Sequence, residues 1–230
     1  MLLAATAASA QENPLWMRYP SISPDGSKIA FAYKGDIFCV DVNGGEARQL
    51  TTNPAYDYKP VWSPDGSKIA FASNREGGFD VYVMDARGGE PRRLTTNSAG
   101  EIPVTWSDNN HIVFQSSVMP TAESIIFAGN FVEEYVVDLD GHRPTLFSTL
   151  QMDDISINTR GEVLYHDNKG YEDKWRKHHT SPIARDIWLE KDGTFKKLTS
   201  FAGEDRNPVW AADGESYYYL SEQDGTFNIY

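Results

Sequence analysis

The residues of this chain that could do acid–base or metal chemistry are five histidines and a few adjacent carboxylates. His178 and His179 are the one close histidine pair. Successive side chains diverge along an extended backbone, so that spacing chelates an ion poorly and reads as a solvated loop. Asp138-Leu139-Asp140-Gly141 alternates like a calcium loop but lacks the twelve-residue ligand spacing, and a hairpin turn accounts for it. Asp153-Asp154 and Glu133-Glu134 are expected at sheet edges, where charge discourages edge-to-edge association. No G-x-S-x-G elbow, H-E-x-x-H, P-loop, G-x-G-x-x-G or C-x-x-C occurs. The expectation is therefore a chain without catalytic residues, metal or cofactor. One cluster stands out: Lys174, Arg176, Lys177, His178 and His179 gather positive charge in a chain of net charge −12. Arg176, Lys177 and His178 are the candidate site residues in it, able to hold an anionic group by charge-assisted hydrogen bonds. The alternative is a loop that is solvated or packs on an acidic neighbour.

The elements that must position these residues form a repeat. Ser23-Pro24-Asp25-Gly26-Ser27-Lys28-Ile29-Ala30-Phe31-Ala32 recurs 40 residues later, from Ser63 to Ala72. Each copy is a turn followed by a short apolar strand; Pro and Asp-Gly supply the turn, and Gly accepts the positive φ a hairpin needs. Ile22, Trp62, Trp106, Ile157 and Trp210 share one register before the turn, at spacings of 40, 44, 51 and 53. A third apolar element and a closing Arg-Leu-Thr-like element follow in most copies. Four short strands per unit of this length make the blade of a β-propeller. The fold expected is all-β, a propeller of four-stranded antiparallel blades starting near 20, 60, 103, 154 and 207. It would be incomplete, with four blades and most of a fifth out of an expected six. Trp62, Trp106 and Trp210 are assigned to the core between blades, and Ile37-Phe38-Cys39-Val40 and Val81-Tyr82-Val83-Met84 to strands buried on both faces.

An acidic balance argues against nucleic acid and against an anionic membrane surface. Residues 1–10 read as the remnant of a signal peptide, with Leu2–Ala8 apolar and Ala8-Ser9-Ala10 as the cleavage signal; they are too short to span a bilayer. The expected location is the periplasm or another exported compartment, and residues 11–230 are the propeller. Cys39 is the single cysteine, so no intrachain disulfide forms, and it is expected as a small buried hydrophobe.

Trp-Ser-Pro-Asp-Gly-x-x-Ile-Ala-Phe, then Asp-Val-Tyr-Val-Met-Asp, then Gly-Gly-Glu-x-x-Arg-Leu-Thr resembles the TolB-like propeller repeat. TolB proteins, prolyl-oligopeptidase-type enzymes and tricorn-like serine proteases share it. Repeats begin at Trp16-Met17-Arg18-Tyr19-Pro20, leaving no room for the separate domain that precedes a TolB propeller. The insertion Gly170–His179 before Ala184-Arg185-Asp186-Ile187-Trp188-Leu189 is similar to a blade of exported tricorn-like proteases. This resemblance implies an N-terminal fragment that gates or docks peptides for a serine peptidase centre in downstream domains, and by the same analogy a basic loop in which Arg176, Lys177 and His178 would bind the C-terminal carboxylate of a peptide substrate. Its partners would be peptide or protein substrates and those domains, and a homo-oligomer of the full-length protein is compatible with it. The alternatives are a non-enzymatic TolB-like binding propeller of the cell envelope and the propeller cap of a prolyl-oligopeptidase-type hydrolase.

Overall fold

The computed structural model describes residues 16–117, 132–170 and 180–230. Those residues form five antiparallel sheets in chain order and no helix, so none is long and apolar enough to cross a membrane. Blade 1 comprises β1 (Arg18–Ile22), β2 (Lys28–Tyr33), β3 (Asp36–Asp41) and β4 (Arg48–Gln49). Blade 2 comprises β5 (Asp57–Trp62), β6 (Lys68–Glu76), β7 (Gly78–Asp85) and β8 (Arg92–Arg93). Blade 3 comprises β9 (Glu101–Trp106), β10 (His111–Ser116), β11 (Glu133–Asp138) and β12 (Thr145–Ser148). Blade 4 comprises β13 (Met152–Ile157), β14 (Val163–Asp167), β15 (Ile187–Lys191) and β16 (Thr194–Lys197). Blade 5 has three strands: β17 (Asp205–Trp210), β18 (Tyr217–Ser221) and β19 (Asn228–Ile229). The propeller expectation holds, and the first strand of each blade packs beside the first strand of the next.

The repeated residues explain the blades locally. In the first turn, Ser23 Oγ accepts from the Lys28 amide at 2.9 Å and donates to Asp25 at 2.5 Å, while the Ser27 amide donates to the same carboxylate at 3.0 Å. The second turn repeats this with Ser63, Asp65, Ser67 and Lys68. These donors hold Asp25 and Asp65 at a pKa of about 2. Gly26, Gly66 and Gly214 have φ of 70°, 69° and 66°, the conformation the turn required. The Leu-Thr pair closes each of three blades: Leu50, Leu94 and Leu198 amides donate to the carbonyls of Ile37, Val81 and Ile187, whose amides donate to Thr51, Thr95 and Thr199. The short outer strand is thus fixed by two residues that bind the third strand from both sides.

Tryptophan joins the blades. Trp62 Nε1 donates to the Ser21 carbonyl at 3.0 Å and Trp106 Nε1 to the Val61 carbonyl at 3.1 Å, each reaching the inner strand of the preceding blade. Both indoles are buried. Trp210 bonds the Glu162 carbonyl instead and is half-buried, a partial departure from the core assignment. Blades 1 and 5 each have an unpacked face among the described residues. Ile22 is 60% exposed where Trp62 is 9%, and Tyr218 is 56% exposed where Ala30, Ala70, Val113 and Leu164 are at 0%. For the same reason β3 alternates buried Ile37 and Cys39 with half-buried Phe38 and Val40, whereas Val81–Met84 is buried on both faces as expected.

Candidate functional site

The inner strands of all five blades surround a cavity of about 650 Å³ along the propeller axis. Its walls carry Pro20, Pro24, Pro60, Pro103 and Pro208, with Val61, Val104, Ile155 and Val209. Lys59 is the only cation and Asp154 the only anion among these described lining residues.

Each inner strand enters the cavity through a bulge. Two residues oppose one on β2, β6, β14 and β18, and the first of each pair is left-handed: Tyr19 (φ 53°), Lys59 (50°), Asp154 (49°) and Asn207 (54°). Four non-glycine residues in this sparsely allowed region, all in one register, mark stored strain at one ring of the channel. Blade 3 has Pro103 in that register, where the ring forbids positive φ. Its bulge falls at the same place, with Val104 as the extra residue between the Pro103–Phe114 and Thr105–Val113 pairs, but without a residue of positive φ.

A polar seam adjoins the channel at blades 3 to 5. Gln115 Nε2 contacts Glu134 Oε1 (3.3 Å), the Met152 carbonyl (3.1 Å) and Asp153 Oδ1 (3.3 Å). Asp153 also accepts from Asn168 at 3.1 Å. His166 lies 3.8 Å from both Asp153 and Asp154, and Asp154 accepts from the Asn207 side chain. The Asn207 amide donates to His166 Nδ1 at 3.2 Å, which puts the imidazole proton on Nε2, toward Asp153. Burial, then the nearby Arg185 and Arg206, depress the His166 pKa to about 3, so the ring is neutral. Glu134 is fully buried, and burial, with the Asp153 and Glu133 charges, pushes its carboxyl up to about 8. Its Oε2 has no hydrogen-bond partner among the described residues.

This corrects two expectations. Glu134 is not at an exposed sheet edge: β11 places it where Ile37, Val81 and Ile187 sit in the other blades. Asp153 and Asp154 belong to the inner strand β13 and not to a blade edge. The signal for Glu134 was out of reach because adjacent glutamates leave strand phase open, and a one-residue slip exchanges the faces. The recurring Tyr-Pro, Lys-Pro and Asn-Pro pairs could have signalled the bulges, since proline inside a paired strand marks one.

Arg176, Lys177 and His178 lie outside the described residues, as do Lys174, His179 and the cleavage signal at residues 8–10. Asp138, Asp140 and His142 bring ligand atoms within 4.8 Å of one another, but the geometry is the expected turn: Gly141 has φ 76°, and His142 Nδ1 already pairs with Asp138 at 2.6 Å. Cys39 is buried and free, and burial raises its thiol pKa.

Known structures share this architecture. A TolB candidate from Agrobacterium tumefaciens aligns with a TM-score of 0.69 at 18% identity, over 93% of this chain and 72% of its own. The tricorn protease aligns with a TM-score of 0.71 at 23% identity, over 93% of this chain and 21% of its own. TolB from Acinetobacter baumannii aligns with a TM-score of 0.64 at 16% identity, over 93% of this chain and 51% of its own. The chain thus spans about a fifth of the tricorn protease and half to three quarters of the TolB chains. At these identities the likeness establishes the fold. No curated protein matches the sequence. Residues 14–230 match the tricorn protease N-terminal beta propeller domain, and the chain belongs to that family.

Proposed function

We propose that this propeller receives extended peptide segments in its axial channel and presents them to a serine peptidase centre carried elsewhere in the protein, in the periplasm or another exported compartment. The observation that supports this reading is the channel wall itself. Five prolines and several aliphatic side chains offer apolar contact without demanding one sequence, while one cation and one acid can orient a chain that has a charge at each end. An extended peptide fits such a passage better than a compact ligand does, because its width is that of a single strand. Arg176 and Lys177 would supply a second carboxylate contact on this reading.

The test is a channel-narrowing substitution in the intact protein. Thr105 lines the cavity from β9. Thr105→Trp should slow hydrolysis of peptides of ten or more residues by about an order of magnitude and spare di- and tripeptides, which need no threading. Equal effects on long and short substrates would refute passage through the channel. An intact protein that binds peptides but hydrolyses none would favour the non-enzymatic binding propeller.

A further inference from the structure

Blade 2 seats one of its own arginines in a socket, and blade 3 repeats the socket without the arginine. Arg75 lies on β6, two residues beyond Ser73. Its Nε donates to Ser73 Oγ at 2.9 Å, and its Nη2 donates to the two oxygens of Asp57 at 3.1 and 3.0 Å. The guanidinium lies 4.6 Å from the centre of the Tyr82 ring and 5.6 Å from that of Phe71. Those two rings stack at 6.0 Å and 27°. The acid, the hydroxyl and both rings recur in blade 3. Glu101 pairs with Ser116 as Asp57 pairs with Ser73, and Phe114 pairs with Tyr135 as Phe71 pairs with Tyr82. The Phe114 and Tyr135 rings stack at 5.8 Å and 27°. Two residues beyond Ser116 the sequence has Val118, and residues 117–131 contain no Lys, Arg or His.

The groups around this position are short of positive charge. Ser116 is 2% exposed and its Oγ has no hydrogen-bond partner among the described residues, whereas Ser73 Oγ has Arg75. Glu101 is equally buried; the Asn97 amide donates to it at 3.1 Å, the Thr95 hydroxyl also donates to it, and it touches the Asp80 carboxyl. Arg93 is committed to Asp80 at 2.9 Å and to the Thr95 carbonyl at 2.8 Å. Among the described residues Glu101 has no ion pair, and burial raises the carboxyl pKa of both acids. A cavity of about 540 Å³ lies against Glu101, Phe114 and Tyr135, and it shares no lining residue with the axial channel.

We infer that this cavity between blades 2 and 3 receives a guanidinium group on an apolar stem, the chemistry of an arginine side chain, from outside the blade. Glu101 accepts the fork, Ser116 Oγ accepts a further N–H, and the Phe114–Tyr135 pair carries the planar cation, as Asp57, Ser73 and Phe71–Tyr82 do for Arg75. Leu94 and Leu146 offer apolar contact to the stem. An ammonium is a poorer fit, because a point charge cannot span the acid and the hydroxyl together. Arg143, exposed at the rim, opposes the incoming cation. The guanidinium can belong to an arginine of a polypeptide or to a small free guanidine.

Calorimetric titration of the intact protein tests the assignment. The probes are N-acetyl-arginine methylamide, its citrulline and lysine counterparts, agmatine, and a capped Ala-Ala-Arg-Ala-Ala peptide. The arginine compound should bind about tenfold more tightly than the citrulline one, which keeps the shape and loses the charge, and about fivefold more tightly than the lysine one. Glu101→Gln should abolish the preference for arginine over citrulline. Ser116→Ala, a smaller change, should weaken arginine binding about threefold, and Arg143→Gln at the exposed rim should strengthen it by a similar factor. A peptide that binds more tightly than agmatine assigns a polypeptide partner, and agmatine binding as tightly as the peptide assigns a small guanidine. Absent binding, or equal binding of the arginine and citrulline compounds, would overturn the inference. So would a preference that survives both Glu101→Gln and Ser116→Ala, because the guanidinium would then sit elsewhere.

Discussion

Replacing Glu134 by glutamine should remove a large part of this protein's loss of stability toward alkali within a defined window. Glu134 is fully buried, and its carboxyl titrates at about 8 instead of its ordinary 4.5. The folded state therefore holds a proton that the unfolded chain releases, so the contribution to stability is complete below pH 4.5 and is lost as the pH rises toward 8. At roughly 1.4 kcal/mol per pH unit, moving from pH 5 to pH 8 should cost on the order of 4 kcal/mol. Glutamine keeps the shape and cannot ionise. Urea unfolding at pH 5, 6, 7 and 8 should then show the variant gaining on the wild type by about 3–4 kcal/mol across the series. Asp153, Glu133 and His166 face or adjoin the same seam, but they are present in both proteins and largely cancel from the difference. Asp36, Asp80, Glu101 and Asp205, also raised by burial, cancel similarly. Parallel pH profiles for the two proteins would show that Glu134 is ionised in the folded state, and the buried-proton argument would fall.

Two further outcomes follow from the structure. His166 is buried and neutral, with its pKa at about 3, so its contribution is present above its ordinary 6.5 and is lost as the pH falls toward 3. His166→Asn should flatten the acid limb of the stability profile by up to about 1.4 kcal/mol per pH unit, with Arg185, Arg206, Asp153 and Asp154 unchanged around it; an unaltered slope would refute the assignment. Gly66→Val should destabilise the protein by roughly 1–3 kcal/mol through backbone strain alone, because a Cβ there meets nothing closer than Pro24 at 3.7 Å. A thermal midpoint unmoved by that change would mean that the positive φ is not required.

The blade plan was legible because it is local chemistry written several times over. Ser-Pro-Asp-Gly fixes a turn, Leu-Thr fixes an outer strand, and Trp62 and Trp106 reach the neighbouring blade, so each motif has one structural job that its residue types announce. The channel was not legible in this way. Its lining comes from five strands far apart in sequence, and its decisive residues, Lys59 and Asp154, differ from their counterparts at the same register. Periodicity identifies what the copies share, whereas the chemistry here resides in where they differ.

Those differences are concentrated. At one second-strand position blades 1 and 2 have Ala32 and Ala72, while blades 3 and 4 have Gln115 and His166. Opposite them on the third strand stand Ile37, Val81 and Ile187, but Glu134 in blade 3. Packing alone favours the small apolar pair, since burying a carboxyl, an amide and an imidazole costs desolvation that hydrogen bonds only partly offset. The three polar replacements are in mutual reach of Asp153, next to the channel acid Asp154. A seam selected only for stability would have kept the alanine–valine solution that blade 2 already demonstrates at 0% exposure. The polar side of the channel and the cationic side at Lys59 are therefore built by different means: one by replacing core residues, the other by a lysine with no ion pair among the described residues. On the proposed reading, a peptide held between them would meet a hydrogen-bonded wall on one side and a mobile charge on the other, an arrangement that would fix direction without fixing sequence.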